Sequence, residues 1–397
     1  MTLSNHPFNA RFASLVFAIG FFCSCATTKV NVDSLIANKD YDNALTAIEA
    51  ELEKNPNQAE LYFQKASING KLADQVPVAE RKPFYETMIT ALDEANNVAA
   101  EDSSIQKKTD SLATSYWAKE YNTGLKSYET GGKNDFYDEA IAHFENSILI
   151  HPTEIKSYKS LSIAQYNSGN VDAAIETLNE ARFVVDNEAD LFEDLGFLYL
   201  ETGNAEQSAY YYNLANTDIV KNKNVAFGLV NAYIAAENNA DALDLLNQLV
   251  SYYPKDAKLH NVYGTQLYNE ASSLFEELKA AYVTYDSSSV ESIKVEIEGV
   301  SEIAEKEFIK AYSTDTSDVE FIESLAVFYN NMAGNYFSLM KTSFEEDNTS
   351  IKNKALTLVD FAITYYTKLA SLSPQNDQVD NKIRTLNTLK SSWANTE

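Results

Sequence analysis

The side chains best suited to chemistry in this chain are its few histidines and its many carboxylates. His143 and His151 lie eight residues apart, and His260 is distant from both in the sequence. A metal site would need further ligands at a defined spacing, so these histidines are predicted to pack in a core or to lie at the surface. Carboxylate pairs such as Glu276-Glu277 are typical of solvated helix faces. In a chain with 58 acidic residues, they give no evidence for acid–base catalysis.

Known catalytic signatures are also missing from the sequence. It contains no Gly-rich phosphate loop, no His-Glu-x-x-His pair and no nucleophile elbow. We therefore predict that the chain is not an enzyme and holds no cofactor and no metal. Its formal net charge of −27 disfavours contact with nucleic acid or with an anionic lipid surface. The acidic side chains are predicted to keep an exposed helical surface soluble.

The two cysteines lie at the end of an N-terminal segment that differs from the rest of the chain. Arg11 precedes an apolar run over residues 12–22, and the small or polar residues of the segment 23–26, both cysteines among them, follow it. This order is typical of a secretory signal. The run is too short for a membrane-spanning helix of about 20 residues. A signal cut near Ala26 and an uncleaved anchor are the alternatives to a lipoprotein signal.

A cysteine directly after the apolar run resembles the lipobox of bacterial lipoproteins. Ser24 is small, as the position before cleavage requires, whereas Cys23 follows Phe22, so Cys25 is the better lipidation site. The resemblance implies a signal peptide over 1–24, a lipidated Cys25 and a tether over 25–31. Two acyl chains give stable membrane anchoring. Because Asp does not follow Cys25, the resemblance favours an outer-membrane lipoprotein that faces the periplasm of a bacterial envelope.

The middle of the chain repeats with a period of 34 residues. Small residues recur at this spacing, and a large side chain follows each of them by four positions: Ala140, Ala174, Ser208 and Ala242, then Phe144, Leu178, Tyr212 and Leu246. The preceding segment of each unit keeps the same register at Leu161, Leu195, Leu229 and Tyr263. Offsets of three, four and seven residues place such positions on one helical face. A fixed period of 34 predicts a helical repeat array.

The unit at 189–222 resembles the tetratricopeptide repeat, with Phe192, Leu195-Gly196 and Tyr199 in its first helix and Ser208, Tyr212 and Ala215 in its second. The resemblance implies an all-α fold, a tetratricopeptide-like α-solenoid of stacked antiparallel helix pairs with a C-terminal capping helix. A cap is expected because the last repeat would otherwise expose its stacking face.

The remaining segments are predicted to extend this array. The predicted repeats cover 32–256, with insertions near 70–84 and 103–135, and repeats with extended helices cover 257–376. The capping helix is predicted at 377–397. Long helices are expected over 105–129 and 257–285, and a loop is expected at Ser287–Ser289.

The family resemblance implies a binding groove lined by first-helix residues that face away from the stacking surface. The predicted groove residues are Lys159, Ile163, Tyr166, Phe197, Leu200, Phe227, Asn231, Ile234, Thr265, Tyr268 and Asn269. Amide side chains can bond a peptide backbone, and aromatic ones can anchor a side chain. Packing between neighbouring helices is the alternative for many of them, and the long inserted helices are the rival binding surface.

The function predicted on this basis is that of a membrane-anchored periplasmic scaffold that binds proteins or peptides, in envelope protein assembly or secretion. The alternative is a glycan-binding lipoprotein of a polysaccharide-uptake system. Such proteins carry exposed tryptophans on loop insertions, whereas Trp117 and Trp393 are both predicted to lie in helices. The sequence specifies neither the partner nor the oligomeric state.

Overall fold

The computed structural model describes residues 31–100, 103–131, 136–185, 189–215, 218–372 and 377–394. The predicted signal, Cys25 and all of the predicted tether except Asn31 lie outside these ranges. The regular structure of the described residues is entirely helical. The chain divides into two compact units, residues 1–116 and 117–397.

The described residues of the first unit form four α-helices and the beginning of a fifth. Their bounds are α1 Val32–Ala37, α2 Tyr41–Lys54, α3 Ala59–Ala73, α4 Lys82–Ala99 and α5 Ser103–Gly131. A short 3₁₀ helix, Val78–Glu80, lies in the predicted insertion, and Pro83 is in the first turn of α4. There its missing N–H removes no helical hydrogen bond. Ile48 of α2 and Ile68 of α3 are fully buried in a small shared core.

The second unit contains the rest of α5 and twelve further helices in its described residues. The helices of the regular repeats are α6 Asp138–Ile150, α7 Ile155–Asn167, α8 Val171–Ala181, α9 Ala189–Glu201, α10 Ala205–Ala215, α11 Lys223–Ala235 and α12 Asn239–Tyr252. The later helices are α13 Ala257–Val283, α14 Ser287–Thr314, α15 Val319–Leu339, α16 Glu345–Leu372 and α17 Asp377–Ala394. A 3₁₀ helix, Ile219–Lys221, precedes α11.

Tight turns join the two helices of each regular pair. Gly169 and Gly203 have φ angles of +86° and +76°, which a residue without a Cβ adopts without strain. They lie in the two Gly-Asn dipeptides between α7 and α8 and between α9 and α10. Glu237 takes the equivalent place in the third turn with a φ of +57°.

The two helices of a pair pack closely where a first-helix glycine meets an aromatic ring from the second helix. A Cβ added to Gly196 of α9 would lie 2.8 Å from the ring of Tyr212 in α10. A Cβ on Gly264 of α13 would lie 3.1 Å from the ring of Phe308 in α14. The glycine of the first helix and the large residue of the second helix are therefore two halves of one contact.

The helices lengthen after α12, and the predicted loop at Ser287–Ser289 is wrong. α13 has 27 residues and α14 has 28, against 14 in α12. Ser287 is the first residue of α14, because the side chain of Asp286 accepts a hydrogen bond from the backbone N–H of Ser289 and caps the helix. The turn between α13 and α14 covers only residues 284–286 and contains Tyr285, whose φ is +55°.

The last helix closes the array. Val379 and Leu386 of α17 are buried, and Trp393 packs on Phe337 of α15 with ring centroids 3.7 Å apart. The predicted fold is confirmed: the second unit stacks tetratricopeptide-like helix pairs and ends in a capping helix. Within the described ranges, no helix is both long and apolar enough to cross a membrane.

Candidate binding groove

Five first helices of the second unit present an exposed side chain at the same repeat position. We call this set the first-helix ladder: Ile163, Phe197, Asn231, Thr265 and Val327. The exposed fractions of its apolar members are 45% for Ile163, 40% for Phe197 and 38% for Val327. Sequence reasoning missed Val327 because the spacing between first helices grows beyond 34 residues after α13. Leu325 and Ala326, which directly precede Val327, keep the repeat register of the earlier first helices and would have located it.

Adjacent first helices are joined by polar and aromatic contacts beside the ladder. The rings of Tyr166 in α7 and Phe197 in α9 pack edge to face at 5.3 Å. The Tyr166 hydroxyl donates to Glu201 Oε2 at 3.1 Å, and this hydrogen bond raises the pKa of Tyr166. Lys159 Nζ pairs with Asp194 Oδ2 at 3.0 Å. The one lysine of the predicted groove is therefore already neutralised by a neighbouring repeat.

Three predicted groove residues contact the core more than they face solvent. Leu200, Phe227 and Ile234 are half-buried against the large core cluster of the second unit. The ammonium of Lys223 lies 5.8 Å from the centre of the Phe227 ring. For these three, packing between neighbouring helices describes the structure better than a groove does. Asn231 remains exposed.

The ladder leads into a cavity between α13 and α15 at its C-terminal end. The cavity has a volume of about 320 Å³. Its lining residues are Thr265, Tyr268, Asn269, Phe308, Glu320, Glu323, Ser324, Val327 and Phe328. The Tyr268 ring packs edge to face on Phe328 at 6.1 Å. The structure thus brings three predicted groove residues together with six that were not predicted to line the groove, five of them from α15.

Asn261 lies one helical turn before Thr265 on α13. Its side chain is 8% exposed, and its Oδ1 has no hydrogen-bond partner in the described part of the chain. A buried acceptor without a donor costs stability. This position on the ladder side of α13 therefore departs from ordinary core packing.

The histidines that the sequence singles out are mainly packing residues. His143 Nδ1 lies 2.6 Å from Glu120 Oε2, and both side chains are buried. His260 Nδ1 lies 2.5 Å from Glu307 Oε2, and its Nε2 lies 3.1 Å from the carbonyl oxygen of Pro254. Among the residues that the structure describes, no three His, Cys, Asp or Glu side chains come together as a metal site would require.

Both tryptophans are held by intramolecular contacts. Trp117 Nε1 donates to Ser157 Oγ at 3.0 Å, and its ring stacks on Tyr121 at 5.5 Å. The ammonium of Lys156 lies 4.8 Å from the centre of the same ring. Trp393 packs on α15, so both indole rings are already in contact with other side chains of the protein and neither offers a free ring face on which a sugar could stack.

Known proteins give no match at the level of sequence: neither the protein-family models nor the curated proteins include one. Solved structures of tetratricopeptide proteins are similar in fold. A TPR repeats protein from Bacteroides fragilis is 19% identical over 60% of this chain and 99% of its own, with a TM-score of 0.32. The C-terminal part of a TPR repeat-containing protein from Cytophaga hutchinsonii is 11% identical over 89% and 98%, with a TM-score of 0.39. Pseudomonas aeruginosa pilF is 12% identical over 70% and 98%, with a TM-score of 0.41. These similarities assign no function to the chain.

Proposed function

We propose that this tetratricopeptide-like chain is a scaffold that binds an extended segment of a partner protein along the first-helix ladder. The observation that carries the proposal is the recurrence of exposed apolar side chains at one repeat position, Ile163, Phe197 and Val327. A contiguous exposed apolar patch is typical of an interaction site. A cavity continues the ladder at its C-terminal end.

The chemistry of the ladder suits an extended peptide. Apolar members at 163, 197 and 327 supply anchors, and a few such anchors carry most of the binding energy in protein interfaces. Asn231 and Asn269 are exposed beside them. Their amides can donate to and accept from a peptide backbone. Since Lys159 pairs with Asp194, recognition of a partner's terminal carboxylate by that lysine is disfavoured.

We also propose that the scaffold is anchored in a bacterial envelope by a lipid on Cys25, on the periplasmic face of the outer membrane. The support is the sequence of the N-terminal segment alone. A role in the assembly or secretion of envelope proteins would follow from this location and from a groove for extended chains. Glycan binding is less favoured, because the two tryptophans are occupied by Tyr121, Ser157 and Phe337.

Site-specific photo-crosslinking in cells tests the groove. A photoreactive phenylalanine analogue at Phe197 should form a covalent adduct with the partner. The same analogue at Tyr210, which is 53% exposed on second helix α10, should form little or none. A third probe at Val295, 65% exposed on α14, reports on the rival surface of the long helices. Adducts from Val295 together with none from Phe197 would refute the groove.

A further inference from the structure

The cavity at the end of the ladder is apolar inside and anionic at its rim. Tyr268, Phe308 and Phe328 supply aromatic walls, and Glu320 and Glu323 supply the only charged side chains that line it. Both glutamates are exposed, and neither pairs with a lysine or arginine of the described residues. The carboxylates nearer the other end of the ladder differ, because Asp194 is paired and Glu201 accepts a hydrogen bond.

We propose that this cavity binds an arginine side chain of the partner segment. The inference rests on the proposed function, since it names the chemistry that one part of the groove recognises. The cavity rim carries two unpaired carboxylates and no positive charge, so its charge favours a cationic side chain. The aromatic walls suit a side chain that has both an apolar stem and a cationic end.

The geometry favours guanidinium over ammonium. Glu320 and Glu323 are three residues apart on α15, so their side chains are neighbours on one helix face. A guanidinium presents several N–H donors in a planar fork and can donate to both carboxylates, whereas an ammonium acts as a compact point charge. The flat guanidinium also stacks on aromatic rings such as those of Tyr268 and Phe328. The volume of about 320 Å³ leaves room for one long side chain.

Selection from a library of random decapeptides by the purified full-length protein tests this assignment. We expect the selected peptides to be enriched in arginine. A selected peptide in which citrulline, a neutral isostere, replaces that arginine should bind about tenfold more weakly. The Glu320→Gln, Glu323→Gln variant should lose the same factor for the arginine peptide and nothing for the citrulline peptide. The control variant Glu291→Gln, Glu296→Gln removes two exposed carboxylates from α14 and should bind like the unmodified protein.

The outcomes separate this inference from the proposed function. Peptides that depend on Phe197 but not on the two glutamates, or that contain no preferred arginine, would overturn the cavity assignment and leave the groove intact. Equal affinity after replacement of the arginine by lysine would overturn the preference for guanidinium. Selection of no peptide at all would overturn both proposals. Charge reversal by Glu320→Lys, Glu323→Lys should instead select acidic peptides, provided that the variant keeps its melting temperature.

Discussion

Glu307 of α14 holds His260 of α13 in a position where both ring nitrogens face acceptors. The carboxylate lies 2.5 Å from Nδ1, and the carbonyl oxygen of Pro254 lies 3.1 Å from Nε2. A carbonyl oxygen can only accept, so Nε2 is the donor to Pro254. Lys310 Nζ pairs with the other oxygen of Glu307 at 2.7 Å. One buried carboxylate therefore joins both helices of this pair.

Replacement of Glu307 by alanine should destabilise the protein strongly. The change leaves His260 buried without its partner, and breaking a buried pair in this way costs about 3–5 kcal/mol. The free energy of unfolding from urea titration measures the loss. Glu302→Ala is the matched control, because Glu302 pairs with Lys306 at 2.8 Å on the same helix but is exposed. Its loss should be much smaller, because exposed ion pairs are screened by water and contribute little to stability, and equal losses would contradict the assigned role of the buried pair.

Gly196→Leu should overpack the contact between α9 and α10. Any side chain at this position meets the Tyr212 ring, and forced overpacking costs about 1–3 kcal/mol. The control is Glu201→Gln at the exposed C-terminal end of α9, where the new amide oxygen can still accept from Tyr166. It should change stability by less than about 0.5 kcal/mol. The proposed repeat register is incorrect if both variants lower the melting temperature equally.

Asn261→Ala should cost little or even stabilise the fold. The change removes a buried acceptor that has no donor and improves helix propensity. Asn69 is a suitable control, because it is equally buried on α3 but donates to the Lys65 carbonyl oxygen at 2.9 Å. Thermal melts should show a larger loss for Asn69→Ala than for Asn261→Ala. The reverse order would show that Asn261 is satisfied in solution.

Asp347 should contribute stability that disappears in acid. Burial raises the pKa of this carboxyl, but hydrogen bonds from Lys294 and Tyr282 outweigh burial and hold the pKa below its ordinary value of 3.8. A lowered folded pKa gives stability that is present above about pH 3.8 and is lost as the pH falls through the lower value. Asp347→Asn should therefore be less stable near neutral pH and should lose less between about pH 5 and about pH 2. Melting curves across this range, with Asp93→Asn as an exposed control, measure the difference.

Cys25→Ser should release the protein from membranes and abolish labelling by a fatty-acid analogue. The thiol of Cys25 is the predicted acylation site, and stable anchoring needs acyl chains. Cys23→Ser is the control and should leave fractionation and labelling unchanged. Labelling that persists in the Cys25 variant and vanishes in the Cys23 variant would reassign the site.

The sequence predicted the repeat because its signal is local and periodic. Gly196 and Tyr212 fall where a fixed spacing requires a small and a large residue, and their contact follows from pairing adjacent helices. The pair of His260 and Glu307 could not be predicted in this way. Its members are 47 residues apart, and one carboxylate among 58 acidic residues carries no distinguishing pattern.

The groove was predictable in part for the same reason. Ile163 and Phe197 share the 34-residue register, so their exposure on equivalent faces follows from it. The cavity lies where α13 and α14 lengthen and the spacing between first helices changes. A fixed period of 34 residues therefore did not predict Glu323 and Val327 as lining residues. Leu200 and Phe227 were predicted to line the groove, and the structure places them half-buried against the large core cluster of the second unit.

The Tyr212 ring touches two first helices, since an added Cβ on Gly228 of α11 would also collide with it. This contact restricts how the array could have grown or can be recombined. Duplicating or deleting one 34-residue module between α10 and α11 would place Tyr212 against a first helix from another repeat. A residue larger than glycine on that helix would clash with the Tyr212 ring. The segments 189–222 and 223–256 should therefore be transferred between repeat arrays together, and module boundaries for engineered chimeras are better placed outside 189–256 than within it.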